Sequence, residues 1–360
     1  MSFNPVTNKK VLIGMSGGVD SSVAALLLKE QGYEVHGFTL RMWGEEGEEG
    51  EEGRCCSRDA IEAAIAVSRK IGILHTIIDI RKQFEAEVVN YFLDEYRSGR
   101  TPNPCAVCNE RIRFGAFWDA ARSFGADYLS TGHYSGIVED SGELFFARAK
   151  DERKSQEYFL ALIPKERLGH LIFPLAELTK DRVRAIASDN NLPIIDRESQ
   201  DICFIPDGDT ASFLRRHFGS KPGKIVDLEG NVLGTHKGIW FHTIGQRKGL
   251  GIATGEPLYV VALDSENNRV LVGPRSAIAG KSFRLTHINR FTDRDLSNLP
   301  LTCKIRYATP QISCRLEDEK VVLDHPVDAI TPGQLGVIYW QDRVVMAGII
   351  ENPSRLTTSS

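Results

Sequence analysis

Apolar positions come first in short runs separated by amphipathic stretches. Val11-Leu-Ile-Gly-Met15 predicts a strand ending in a glycine-rich turn, and the apolar spacing from Ser21 to Glu30, stopped by Gly32, predicts a helix. Glu34 to Met42 reads as a second strand, Ser57 to Ile71 as a helix and His75 to Ile80 as a third strand. Phe84 to Tyr96 and Asn109 to Phe124 carry helical spacing, and Asp127 to Thr131 is a strand running into Gly132-His133. Such alternation predicts an α/β domain: a parallel sheet with helices on both faces, binding its ligand at the carboxyl ends of the strands.

Beyond about residue 205 the pattern changes to short β-rich runs, Trp240 to Ile244, Leu258 to Leu263 and Arg269 to Gly273, punctuated by Gly, Pro and Asn-Asn. Leu301 to Tyr307, Gln311 to Leu316, Lys320 to Leu323, Gly336 to Trp340 and Val344 to Ile350 have the spacing of a small barrel or sandwich. Three domains are expected: an α/β domain over 1–210, a small β-rich central domain over 211–284 and a C-terminal β-barrel over 285–360. No internal repeat is evident.

The length of 360 residues agrees with more than one core. With 42% apolar and 26% charged residues, the composition excludes collagenous, disordered and multi-span membrane classes. No apolar run reaches the roughly 18 residues that span a bilayer, and no apolar signal core precedes Val11. A cytoplasmic location with no membrane partner is therefore expected. The net charge of -4 is unevenly placed: 25 Lys/Arg against 34 Asp/Glu in 1–210 give -9, and 19 against 14 in 211–360 give +5. Six of the negatives lie in Glu45-Glu46-Gly47-Glu48-Glu49-Gly50-Glu51-Glu52, which reads as a solvated, self-repelling loop with no assigned function. A polyanionic partner is compatible with this distribution without being required by it.

Gly14-Met15-Ser16-Gly17-Gly18-Val19-Asp20-Ser21 joins the first strand to the first helix. Glycines there let the backbone approach a ligand, and the helix N-terminus offers free N–H groups and a positive dipole end, so an anion should sit in the turn. The string lacks the Gly-Lys-Ser/Thr of a Walker loop and is not a dinucleotide Gly-x-Gly-x-x-Gly. It resembles the Ser-Gly-Gly-x-Asp-Ser loop of ATP pyrophosphatases, a resemblance that implies ATP cleaved between its α and β phosphates and an adenylated carbonyl oxygen. Asp20 is a candidate Mg²⁺ ligand. Gly132 belongs on the same sheet edge, where a missing side chain admits a nucleotide, and His133 is either a substrate contact or an exposed strand-end histidine.

The seven cysteines, an odd number, argue against a disulfide framework. Cys105 and Cys108 in Pro102-Asn-Pro-Cys-Ala-Val-Cys-Asn109 stand at the entrance to a helix expected from Asn109, where the helix N-terminus favours a thiolate, and Cys108 is the better placed. The pair reads as a redox couple, as half of a metal site with Cys55 and Cys56, or as a catalytic thiol with a neighbour; spacing alone puts the metal first. Cys203 in Asp201-Ile-Cys-Phe-Ile205 is by itself indistinguishable from a small buried residue on a short strand.

Together these segments resemble the tRNA-specific 2-thiouridylase (MnmA) family, which replaces the C2 oxygen of the wobble uridine with sulfur. The resemblance spans nearly the whole chain and adds Ser130-Thr-Gly-His-Tyr134, Ser155-Gln-Glu-Tyr-Phe-Leu160, Thr243-Ile-Gly-Gln-Arg-Lys-Gly-Leu250, Arg306-Tyr307 and Pro332-Gly-Gln334. It implies an adenine nucleotide α-hydrolase-like fold for the first domain. It further implies Cys108 as nucleophile and Cys203 as persulfide carrier, the two able to form a disulfide during turnover. ATP would contact Gly14 to Ser21, the backbone near Leu40, and Gly132. The tRNA would be touched by Asn103, Pro104 and Cys105 near the target base, and by His133, Lys154-Ser155-Gln156, Arg306, Tyr307 and Gln334. Mg²⁺ is expected with the nucleotide, and the sulfur would come from a donor protein such as a cysteine desulfurase or sulfur carrier.

This chain has Ser155 where many relatives have Asp, and Cys105 where some have Asp, which puts in doubt a carboxylate role at either position. Two alternatives remain at this level: an amidotransferase-type ligase using the same ATP loop on a small molecule, and a metal-cluster protein held by Cys55, Cys56, Cys105 and Cys108. The basic pairs Arg215-Arg216 and Arg247-Lys248 are compatible with phosphate contacts or with an ordinary surface.

Overall fold

A computed structural model describes residues 9–43, 57–195, 202–205, 208–253, 255–318 and 320–351. Cys55, Cys56 and the Glu45 to Glu52 stretch lie outside the described residues. The chain divides into two compact units, one of Met1–Val88, Cys105–Gly208 and Asp342–Val344, the other of Val89–Pro104, Asp209–Gln341 and Val345–Ser360.

In the first unit, β1 (Lys10–Gly14), α1 (Val19–Glu30), β2 (Glu34–Arg41), α2 (Arg58–Ile71) and β3 (Leu74–Asp79) alternate as their patterns predict. Helix α2 starts on Ser57, whose hydroxyl accepts from Ala60 N, and stops on Gly72 at φ 71°, a left-handed cap that glycine adopts freely. A helical run follows: α3 (Arg81–Phe84), a wide stretch Glu85–Val89, and α4 (Asn90–Arg97), which belongs to the second unit. Next come α5 (Pro104–Val107), a second wide stretch Cys108–Ala116, α6 (Phe117–Ser123) and β4 (Tyr128–Ser130). The hairpin β5 (Gly136–Asp140) and β6 (Glu143–Ala147), then α7 (Glu157–Leu160), β7 (Leu171–Ile172) and α8 (Lys180–Asp189) complete the unit.

The sheet order is β3-β2-β1-β4-β7, every pairing parallel. Val11 and Ile13 of β1 join Val23, Ala24 and Leu28 of α1 and Val183 and Ala187 of α8 in one core. Phe38 of β2 meets Phe117 of α6 at 5.4 Å between ring centroids, covering the other face.

The second unit holds α9 (Thr210–Phe218) and a four-stranded sheet, β10-β11-β8-β9, made of β8 (Gly223–Val226), β9 (Val232–His236), β10 (Tyr259–Asp264) and β11 (Arg269–Gly273). β12 (Ala279–Arg290), β13 (Leu301–Lys304), β14 (Ile312–Glu317), β15 (Lys320–Asp328), β16 (Leu335–Trp340) and β17 (Arg343–Ile350) form a barrel in the order β12-β15-β14-β13-β16-β17. It closes where Leu285 pairs with Ile350 and Thr286 with Ile349, leaving no open edge. One expected strand fails: Trp240 to Ile244 holds a single tight turn, Ile239–Phe241. Ile239 and Trp240 are both buried, which the two-residue alternation of a half-covered strand does not allow.

Candidate active site

The turn after β1 is shaped by its own hydroxyls. Ser16 N donates to Ser21 Oγ at 3.1 Å, and the Ser21 and Ser22 hydroxyls donate to the Gly18 carbonyl at 3.3 and 2.8 Å. The loop thus curls onto the first turn of α1, whose leading N–H groups have no partners within the helix. Gly17 has φ 74°, and a Cβ there would lie 2.2 Å from the Ala60 carbonyl oxygen, so only glycine fits. Met15 is tied to β2 from both sides: its N–H donates to Phe38 O at 2.6 Å and its carbonyl accepts from Thr39 Oγ1 at 2.8 Å. Leu40, half-buried, is the next residue of that strand. Val19 is buried in the core.

Strand β4 lies beside β1, where the strand order reverses. That is the switch point at which parallel sheets open a crevice. Gly14 faces Thr131 there, and a Cβ on Gly132 would stand 2.6 Å from Ser21 N and 2.8 Å from the Asp20 carbonyl carbon.

Asp20 receives Lys180 Nζ on both carboxylate oxygens, at 2.8 and 2.7 Å, and the Tyr134 hydroxyl at 2.7 Å. Burial and the Asp20 charge push the Tyr134 pKa far above its ordinary value, so it stays a proton donor. Tyr134 N donates to Gln156 Oε1 at 2.9 Å and Gln156 N donates to Tyr134 O at 2.7 Å, joining this strand end to the Lys154–Gln156 segment. Ser155 is buried; its hydroxyl accepts from Ala149 N at 2.8 Å and donates to Glu157 Oε2 at 2.5 Å. Lys154 N donates to Asp151 O at 3.0 Å, while Asp151 Oδ2 receives Lys180 N at 2.9 Å. His133 Nδ1 lies 2.7 Å from Thr131 Oγ1, with the rings of Phe114 and Phe173 at 6.1 and 6.4 Å. Burial, then the charge of Arg113, pulls its pKa down to about 3, so the imidazole is neutral at physiological pH.

Lys180 is the residue that sequence reading missed. It is buried, and it occupies the first position of α8, where the helix dipole disfavours a cation. Only the fold shows that mismatch, so the sequence by itself carried no signal for it. With three contacts already on it, Asp20 does not present a carboxylate free for metal ligation. Among the described residues no cluster of three or more His, Cys, Asp or Glu forms a metal site. The described residues do not fit a protein-ligated Mg²⁺; an ion carried on phosphate oxygens and water needs no such ligand set.

Cys108 is buried, Cys105 exposed and Cys203 half-buried. The helical run begins at Pro104, not near Asn109, so Cys105 stands in its first turn and Cys108 one turn deeper. Proline suits that first position, having no N–H to lose. The dipole argument for Cys108 therefore weakens. Cys108 instead opens the wide stretch, which Gly115 permits: a Cβ there would lie 2.6 Å from Glu110 O. Arg167 caps that stretch, donating to the Glu110 and Phe114 carbonyls. Cys203 lies in a turn rather than a strand, anchored by Phe204, whose ring meets Phe84 at 5.8 Å and Trp43 at 6.0 Å.

Within the second unit, Gln334 Nε2 donates to the carbonyls of Thr101 and Pro102 at 2.9 and 3.0 Å, next to Asn103 and Pro104. Thr101 Oγ1 reaches Thr243 Oγ1 at 3.4 Å. Arg306 donates to Ala329 O at 2.6 Å and Thr331 Oγ1 at 2.7 Å, and Lys304 lies over the Tyr307 ring at 5.8 Å. Asn103, the Thr243 loop, Arg306 and Gln334, far apart in sequence, are thus linked through a short chain of contacts.

Known proteins match along the whole chain. The tRNA methyl transferase HUP domain matches residues 9–207, the tRNA methyl transferase PRC-barrel domain 211–274 and the aminomethyltransferase beta-barrel domain 280–350. The tRNA-specific 2-thiouridylase MnmA of Clostridioides difficile (strain 630) is 42% identical over 356 residues, covering 96% of this chain and 98% of that protein. That of Acetivibrio thermocellus is 43% identical over 359 residues, covering 96% and 100%. The tRNA-specific 2-thiouridylase MnmA 1 of Caldanaerobacter subterraneus subsp. tengcongensis is 44% identical over 361 residues, covering 97% and 99%.

Proposed function

We propose, from the premise that this chain belongs to the family of the tRNA-specific 2-thiouridylases, that it is an ATP-dependent sulfurtransferase making 2-thiouridine at the wobble position of tRNA. The observation that carries this reading is the glycine cradle at the sheet's switch point, Gly14–Ser21 closed by Gly132, on a unit that also contains Cys108 and Cys203. The cradle suits a polyphosphate, with α1's N-terminal N–H groups supplying positive partial charge while Lys180 neutralises the Asp20 carboxylate beside it. Residues 1–210 take the ATP chemistry, and 211–284 with 285–360 serve the RNA in the cytoplasm.

The C2 carbonyl of uracil is a poor electrophile. Adenylation turns its oxygen into part of an AMP leaving group and releases pyrophosphate into the Gly14–Ser21 turn. A persulfide on Cys203, loaded by a sulfur-donor protein, then puts its terminal sulfur on C2 as AMP departs. Cys108 attacks Cys203 Sγ, so the thiocarbonyl leaves with its sulfur and the two thiols become a disulfide that an external thiol must reduce. The base must leave its stack for this. Asn103, Pro104 and Cys105 meet it, while neutral His133, the Lys154–Gln156 segment, Arg306 and Tyr307 meet the surrounding RNA. The test is nucleoside mass spectrometry on unmodified tRNA incubated with enzyme, ATP, Mg²⁺, a cysteine desulfurase with cysteine as the persulfide source, and a thiol reductant. 2-Thiouridine with stoichiometric AMP is expected. AMP formation without tRNA and without thiolation would replace this reading by a small-molecule ligase.

A further inference from the structure

We infer that Thr39 is a positioning residue for the nucleotide: its hydroxyl, backed by His75, fixes how far the turn after β1 stands from the edge of β2 at Leu40. The inference rests on the reading that ATP spans Gly14–Ser21 and the backbone near Leu40. The turn makes its own shape, since Ser16 N donates to Ser21 Oγ and the Ser21 and Ser22 hydroxyls donate to Gly18 O. Those bonds leave the distance from the turn to β2 open. It is set at Met15, whose N–H donates to Phe38 O at 2.6 Å and whose carbonyl accepts from Thr39 Oγ1 at 2.8 Å.

Thr39 is buried, and its single hydroxyl proton goes to Met15 O. His75 Nε2, 3.0 Å from the same hydroxyl oxygen, is therefore the donor, and the bonds run in one direction from His75 through Thr39 to Met15. Register brings the ring there: His75 of β3 pairs with Gly37, two residues before Thr39 and on the same face of β2. Gly37 makes room for both partners, because a Cβ on it would lie 2.5 Å from Met15 Sδ and 3.1 Å from His75 Cδ2. Ser68 Oγ of α2, 3.3 Å from Met15 Sδ, closes the group. Two strands and a helix thus converge on Met15, while Leu40 follows Thr39 directly in β2. A ligand that touches only the turn is indifferent to the spacing between Met15 and Leu40. One that reaches both is not.

Thr39→Val keeps the shape and removes the hydroxyl, Thr39→Ser keeps the hydroxyl, and His75→Phe keeps a ring and removes the donor. Calorimetric titration of the full chain with Mg²⁺–pyrophosphate and with α,β-methylene ATP gives the two Kd values for each variant, beside a thermal melt. Thr39→Val should bind the ATP analogue about tenfold more weakly and pyrophosphate within about twofold of wild type. Thr39→Ser should keep the wild-type ratio of the two affinities, and His75→Phe should weaken the analogue alone, by less than Thr39→Val does. Equal weakening of both ligands in Thr39→Val would overturn the inference, reducing the hydroxyl to a support of the turn, as would an unchanged analogue affinity. Where Thr39→Val does not melt cooperatively, His75→Phe decides, and an unchanged ratio there overturns the inference. Thiolation by wild type is followed separately: ATP binding without 2-thiouridine sinks the functional reading, and the affinity ratio still decides the role of Thr39.

Discussion

Gly132→Ala perturbs the cradle at its narrowest point. The new methyl would lie 2.6 Å from Ser21 N, 2.8 Å from the Asp20 carbonyl carbon and 2.9 Å from Ser21 Cα, whereas ordinary contact begins at 3.4 Å. All three atoms are backbone in the first turn of α1, so no rotamer change relieves the clash. Strand end and helix must separate by about 0.8 Å. Overpacking of this kind costs about 1–3 kcal/mol of stability, and a comparable shift of reacting groups costs roughly 10²-fold in rate. Urea unfolding reads the first quantity, and single-turnover pyrophosphate release in the presence of tRNA reads the second. An alanine variant with wild-type stability, ATP affinity and rate would refute the placement of the nucleotide against this glycine.

Lys180→Met removes two contacts from Asp20 and leaves the Tyr134 hydroxyl; a stability loss of about 1–3 kcal/mol and weaker pyrophosphate binding are expected, measured by urea unfolding and calorimetric titration. The folded-state pKa of His133 lies below its ordinary 6.5, at about 3, so the unfolded chain takes the proton first. Its contribution to stability is complete above pH 6.5 and fades as pH falls toward 3. In urea unfolding at a series of pH values His133→Asn should flatten that slope, and an unchanged slope would contradict the assignment. Ser155→Ala removes the acceptor of Ala149 N and one donor to the Glu157 carboxylate, so it should lower the melting temperature in a thermal melt, the loss being that of a buried hydrogen-bonding partner.

The alternating strands and helices of the first unit were legible because each carries its own period and its own stop, as Gly32 and Gly72 do for α1 and α2. The cradle was legible for a related reason: glycine marks backbone that comes too close for a Cβ, at Gly17 as at Gly132. Contacts between distant positions were not. Lys180 and Asp20 are 160 residues apart, and Gln334 and Thr101 are 233 apart; local patterning carries no record of such pairs. The helix start at Pro104 was hidden because Pro102 and Pro104 flank Asn103 and read as a turn. The hairpin β5–β6 and strand β12 went unread among mixed polar and apolar positions, where the partner strand rather than the sequence decides the conformation.

The measurement that tests the central claim most directly follows the sulfur itself. Enzyme carrying radiolabelled persulfide, stripped of excess donor, is mixed with ATP and unmodified tRNA for one turnover. Label should leave wild-type protein and appear in 2-thiouridine as a disulfide between Cys108 and Cys203 forms. Cys203→Ser should take up no transferable label, and Cys108→Ser should release no free 2-thiouridine, label remaining on protein or joined to it through tRNA. Free labelled 2-thiouridine formed at the wild-type rate by either variant would contradict the two-thiol account.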